Sequence, residues 1–136
     1  MSYQIETMRE GFAKYHLNPD GAQPWPFRPV YHHLTTPDEG WPHDHPFDID
    51  VYVVSGWYIE RVWQQHNEGA WYYRDRKRQK GDAFTIDAEA IHEIIQISVG
   101  GCWTHAVYGP WKRHTRFWRF DAQGATSRQW DETEYQ

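Results

Sequence analysis

Three histidines and two aspartates stand in this sequence where their types and spacing could do metal chemistry. His43 and His45 are one residue apart in the run HDHPFDID, which continues through Asp48 and Asp50 into the apolar stretch VYVV and the turn signal Ser55-Gly56. A neutral imidazole offers a lone pair to a metal, and a His-x-His pair on an extended chain presents both rings on one face. A third ligand has to come from another strand. His92, in IHEIIQI, is the residue for that role, on a face it shares with Ile94 and Gln96. Whether a carboxylate joins them turns on strand parity. Alternation from His43 groups Phe47, Ile49, Val51 and Val53 with the histidines and points both aspartates away, which leaves a three-histidine site. Pro46 cannot donate to a ladder and suits a bulge, and a bulge would swing Asp48, Asp50 and Tyr52 inward. Two imidazoles with one carboxylate are typical ligands of non-haem Fe(II), with positions left for substrate and O₂, whereas Mn, Ni and Zn accept overlapping donors.

Other polar residues carry weaker signals. His105 in CWTHAVY shares a face with Trp103 and Val107; if that face is the inner one, it is a catalytic acid or base near neutral pH, and otherwise a histidine filling polar space. One of His32 and His33 could face the cavity or orient a ligand. Asp44 reads as a solvated turn residue, and His16, His66 and His114 as surface residues. Cys102 beside Trp103 reads as an inert core thiol. The basic run RDRKRQK reads as a solvated hairpin end.

The elements that must position these residues are strands. VYVV, WYIERVW, AWYYRDR, AFTI, IHEIIQI, CWTHAVY and RFWRF are rich in β-branched and aromatic residues that alternate with polar ones. Turn signals separate them at Ser55-Gly56, Asn67 to Gly69, Lys80 to Asp82, Gly100-Gly101 and Gly109-Pro110, a spacing typical of a sandwich or barrel. Val30 to Leu34 reads as the first strand, after the proline-rich lead-in AQPWPFRP. One helix is predicted over 2–14, capped by Ser2 with Ile5, Met8 and Phe12 at helical spacing, and the polar tail over 124–136 is predicted to fray unless Trp130 anchors it.

Composition bounds the function. A length of 136 residues suits one domain, 1–136, with a barrel core over about 28–120. The hydrophobic fraction is only 39% and mean hydropathy is -0.94, but 18% of residues are aromatic, so large rings supply the core and disorder is excluded. A net charge of -5 gives no global attraction for nucleic acid or an anionic membrane. With one cysteine, no apolar leader and no membrane-length segment, a soluble cytoplasmic protein is expected. Exposed edge strands and many aromatics suit a homodimer.

On these residues the chain resembles the cupin superfamily, small jelly-roll barrels of double-stranded β-helix type that usually bind one divalent metal. Gly81 and His92 match the second cupin motif, G(X)5PXG(X)2H(X)3N, while Asp87, Glu89 and Gln96 replace its proline, glycine and asparagine. His43, His45 and Gly56 match part of the first, G(X)5HXH(X)3,4E(X)6G, whose glutamate slot falls on Ile49 or Asp50. HDHPFD, SGWY, HEI, WTHAVYGP and RFW further resemble a family of small cupins with an HDHPWDF-type motif and no assigned activity, whose aspartate lies at the position of Asp48. The resemblance implies an all-β cupin barrel with a short N-terminal helix. It implies a divalent metal, Fe(II) favoured, on His43, His45, His92 and one of Asp48 and Asp50. The favoured activity is a non-haem Fe(II) oxygenase acting on a small molecule, aromatic or apolar. The alternatives are a Lewis-acid isomerase or decarboxylase, a metal-free epimerase-type cupin, and a non-catalytic ligand-binding module.

Overall fold

The computed structural model describes residues 3–17, 29–38 and 41–136 of the chain. Among them there are eleven strands and no helix, so none is long and apolar enough to cross a membrane. The strands are β1 (Tyr3–Arg9), β2 (Phe12–Leu17), β3 (Pro29–Leu34), β4 (Ile49–Ser55), β5 (Trp57–Gln65), β6 (Trp71–Gln79), β7 (Ala83–Ile86), β8 (Ile91–Ile97), β9 (Cys102–Tyr108), β10 (Arg116–Asp121) and β11 (Gly124–Gln129). They form a six-stranded sheet in the order β1-β2-β3-β9-β4-β7, a three-stranded sheet β6-β5-β8 and the hairpin β10-β11, with antiparallel pairing throughout. The expected all-β architecture is present. Its ladders remain three separate sheets and do not close into one continuous barrel.

Alternation decides which residues fill the interior. On β4, Ile49, Val51 and Val53 are buried while Asp50, Tyr52 and Val54 are exposed. On β9, Cys102, Thr104, Ala106 and Tyr108 are buried. The row Val30, Ala106, Val51 and Phe84 crosses four neighbouring strands, and burying each large apolar side chain in such a row contributes about 1.5–3 kcal/mol. A second group, Leu34, Val53, Tyr58, Ile94 and Cys102, packs where β5 and β8 meet the large sheet. Burial pushes the Cys102 thiol up to about 11, which keeps it protonated and inert. Between β4 and β5 the chain reverses at Gly56, at a φ of 75°, where any Cβ would collide with the Gly101 carbonyl oxygen.

Both chain ends depart from expectation. The predicted helix over 2–14 is instead the β1–β2 hairpin, turning at Gly11 with a φ of 84°. Three apolar residues at helical spacing are outweighed by a glycine that reverses the chain and by the ladder that β2 makes with β3. Ile5 and Met8, which a helix would have buried, are about half exposed. Nor does the tail fray at Gly124. Residues Gly124–Gln129 pair with β10, and Ser127 and Gln136 exchange backbone hydrogen bonds of 3.0 and 2.9 Å. The basic run lies mostly on the exposed end of β6 in the β5–β6 hairpin, as its solvated reading expects, with Arg78 the more buried member. The lead-in over 22–28 lies outside the described residues.

Candidate metal centre

The HDH segment is a short extended piece laced between β8 and β10. His43 and His92 exchange backbone hydrogen bonds of 2.9 Å in each direction, and the His45 N–H donates to the Ala88 carbonyl at 3.0 Å. Alternation then sends Asp44 to the side opposite the two histidines. Asp44 is fully buried, contrary to its reading as a solvated turn residue. Its carboxylate accepts from the Arg116 N–H at 2.7 Å and the Trp118 indole N–H at 3.1 Å, and pairs with Arg113 at 3.1 Å. Burial pushes the Asp44 carboxyl up, and these donors oppose the shift.

His43, His45 and His92 converge, with ring centroids 5.1, 4.8 and 4.7 Å apart and one nitrogen from each within 4.8 Å of the others. Their partners set the tautomers. His43 Nδ1 lies 2.9 Å from the Trp41 carbonyl oxygen, which can only accept, so this nitrogen carries the proton and Nε2 keeps its lone pair. His92 Nδ1 donates likewise to Glu60 Oε2 at 2.7 Å, leaving the His92 Nε2 lone pair facing His45 Nε2 at 3.2 Å. His45 Nδ1 is buried without a hydrogen-bond partner. Burial, reinforced by the neighbouring His92, lowers His43 to about 4, and burial with His92 and His43 holds His45 well below its ordinary value. Both rings are therefore neutral near pH 7. Lone pairs of neutral imidazoles gathered at one point are a donor set that fits a divalent metal.

The carboxylates expected at the metal lie elsewhere. Asp48 accepts from the Ala88 N–H at 2.7 Å and pairs with Lys112 at 2.8 Å, while Asp50, on the outer face of β4, accepts from the Thr85 hydroxyl at 2.7 Å. A bulge at Pro46 would have turned both inward. The strand keeps straight parity instead, so Phe47, Ile49, Val51 and Val53 take the inner positions. His105 is likewise not in the cavity. It lies on the outer face of β9, edge-on to Tyr31 at 5.1 Å, because Cys102, Thr104, Ala106 and Tyr108 occupy the inner parity. Of the β3 histidines, His33 stacks on Trp103 at 4.2 Å outside, whereas His32 turns inward with its Nε2 2.5 Å from the Tyr108 hydroxyl.

Sequence reasoning missed Glu60 and Arg78. Glu60, only 2% exposed, grips His92 and also accepts from Arg78 at 3.2 Å, and the Arg78 guanidinium lies 3.6 Å from the centre of the Phe84 ring. Burial raises the Glu60 carboxyl, but the hydrogen bond from His92 and the pairing with Arg78 outweigh it and hold the group below its ordinary range. The signal was available, because Glu60 lies at the same parity as the core residue Tyr58 and a charge in such a slot must be paired. Two open cavities lie apart from the triad. One, of about 400 Å³, is lined by Trp63, Trp71 and Phe120, and the other, of about 370 Å³, by Asp48, Glu89 and Lys112. Among the described residues neither assembles a comparable ligand set.

No protein-family model matches the chain, and no curated protein matches it. Solved structures do. The plu4264 protein from Photorhabdus luminescens superposes with a TM-score of 0.57 at 18% identity, covering 76% of this chain and 79% of that one. KdgF from Halomonas sp. superposes with a TM-score of 0.53 at 18% identity, over 79% of this chain and 88% of that one. An Fe(II) form of HppE gives a TM-score of 0.57 at 14% identity, over 79% of this chain and 56% of that one. At such identities the likeness is one of fold, and the fold that this chain shares with these structures is the cupin type.

Proposed function

We propose that His43, His45 and His92 hold one divalent metal, with Fe(II) favoured, and that the protein is a small-molecule enzyme of the non-haem oxygenase type. The observation that carries this reading is the convergence of three imidazole nitrogens within 4.8 Å, two of them with lone pairs aimed inward by acceptors on their Nδ1 atoms. The HDHPFD run and the fold shared with an Fe(II) form of HppE support it. A bound Fe(II) supplies an electron source for O₂ chemistry and a positive charge for substrate. The chain's own residues do the rest. Glu60 fixes the proton and the ring plane of His92, Trp41 does the same for His43 through its carbonyl, and Phe47 and Tyr108, stacked at 4.4 Å, form an aromatic wall beside the ligand strand.

A second reading draws on the donor set. Three neutral imidazoles leave the full charge of the ion uncompensated, which suits polarising a carbonyl for isomerisation or decarboxylation. Elemental analysis after loading with Fe(II), Mn(II), Ni(II) or Zn(II) and desalting tests the shared premise. The expected result is about one metal per chain, absent from a His43→Ala/His92→Ala variant; no retained metal under any loading sinks both readings. O₂ uptake by the iron form in the presence of candidate substrates then favours the oxygenase, whereas substrate turnover without O₂ favours the Lewis acid.

A further inference from the structure

Beside the apolar row of the large sheet runs a polar one. Lys14, His32, Thr104 and Val53 lie side by side across β2, β3, β9 and β4, and Thr104 is 2% exposed. Tyr108 reaches this row from two inward positions further along β9, past Ala106. Its hydroxyl meets His32 Nε2 at 2.5 Å, and the Lys14 ammonium lies 5.0 Å from the centre of its ring. Phe12 is edge-on to His32 at 5.2 Å, and Phe47, which shares the strand face of His45, stacks on Tyr108. A continuous wall therefore runs from the triad segment through Phe47 and Tyr108 to His32 and Lys14. The charge on Lys14 is close enough to help hold both His32 and His45 neutral.

This ammonium has no carboxylate bonded to it among the described residues. Glu6 stands opposite it on β1 but gives its carboxylate to His16 at 2.9 Å and is more than half exposed. Burial lowers the Lys14 pKa, and Glu6 offsets part of that shift. His32, lowered to about 3 chiefly by burial and then by Lys14 and His16, adds no charge at neutral pH. One positive charge, largely withdrawn from water and set over the Tyr108 ring, is stabilised by an anionic partner. A single charge also suits a monoanion better than a dianion.

We propose that Lys14, with the His32–Tyr108 pair beside it, receives the carboxylate of an aromatic or apolar carboxylic acid whose other end reaches the histidine triad. This substrate class rests on the triad being the reaction centre. Benzoate and its neutral counterpart benzyl alcohol are the probes, titrated by calorimetry into the wild-type chain, Lys14→Met and Lys14→Gln, with metal content measured on the same samples. Benzoate is expected to bind the wild type in preference to benzyl alcohol and to lose about tenfold or more in affinity in either variant. Benzyl alcohol is expected to bind all three chains alike, and metal content to stay the same. Three results overturn the inference: no benzoate binding to the wild type, equal affinity for the two probes, or variants that bind benzoate as the wild type does. Should neither variant fold, the comparison of the two probes on the wild type decides. One metal per chain without any charge preference rejects the carboxylate pocket and keeps the triad. Charge-dependent binding by a chain that retains no metal keeps the pocket and rejects the metal reading.

Discussion

The hydrogen bond from His92 to Glu60 fixes a tautomer and supplies a negative charge behind the ligand, and both strengthen the imidazole as a donor. Glu60→Gln keeps the shape and removes the charge. It is expected to weaken metal affinity by about 10–100-fold, measured by competition with a chelator of known affinity. Asp48→Asn and Asp50→Asn are expected to keep the wild-type metal content, because both carboxylates are engaged by Ala88, Lys112 and Thr85 rather than by the triad. Loss of metal in either variant would mean that a carboxylate turns inward to the ion. His43, His45 and His92 were legible because their spacing alone restricts what they can share. Glu60 was not, since its role depends on β5 and β8 pairing in a register that sets it next to His92.

At the scale of elements, the HDH segment carries two of the three proposed ligands without belonging to a long ladder, so its position depends on a few contacts. Asp44 supplies three of them, to the Arg116 backbone, the Trp118 indole and the Arg113 guanidinium. Asp44→Ala strands these donors and is expected to cost about 1–3 kcal/mol for each one left buried and unpaired, read as a lower urea midpoint. Metal retention should fall with it, because the segment carrying His43 and His45 is then free to move away from β8. A midpoint unchanged from the wild type would show that the segment is held by its backbone bonds alone. The N-terminal hairpin teaches a related lesson. Its apolar spacing read as a helix, and only the partner strand β3 and the turn at Gly11 make it sheet, contacts that no local window contains.

The whole molecule holds several imidazoles neutral, and that has a consequence for stability. His32 and His43 are lowered to about 3 and about 4, and His45 well below 6.5, chiefly by burial. In the unfolded chain they take up protons near their ordinary value of 6.5, so below that pH the unfolded state binds more protons than the folded one and stability falls with pH. Each such group contributes at most about 1.4 kcal/mol per pH unit, and the loss continues until the folded chain is itself protonated. The thermal midpoint of the metal-free protein is expected to be flat above about pH 7 and to drop steadily between about pH 6.5 and 4.5, above most of the carboxylate range. A flat profile through that interval would show that these rings are accessible to protons in the folded state.

The sequence by itself determined the strand class, most of the strand positions and the histidine triad, because period-two alternation and the HxH spacing are local properties of the chain. Only the tertiary structure decided which face of each strand is the inner one, and that choice kept Asp48, Asp50 and His105 away from the histidine triad, set Glu60 against His92 and turned His32 toward Tyr108. The reason is physical. A single strand has two equivalent faces, and they become distinct only when its neighbours and the opposing sheet cover one of them.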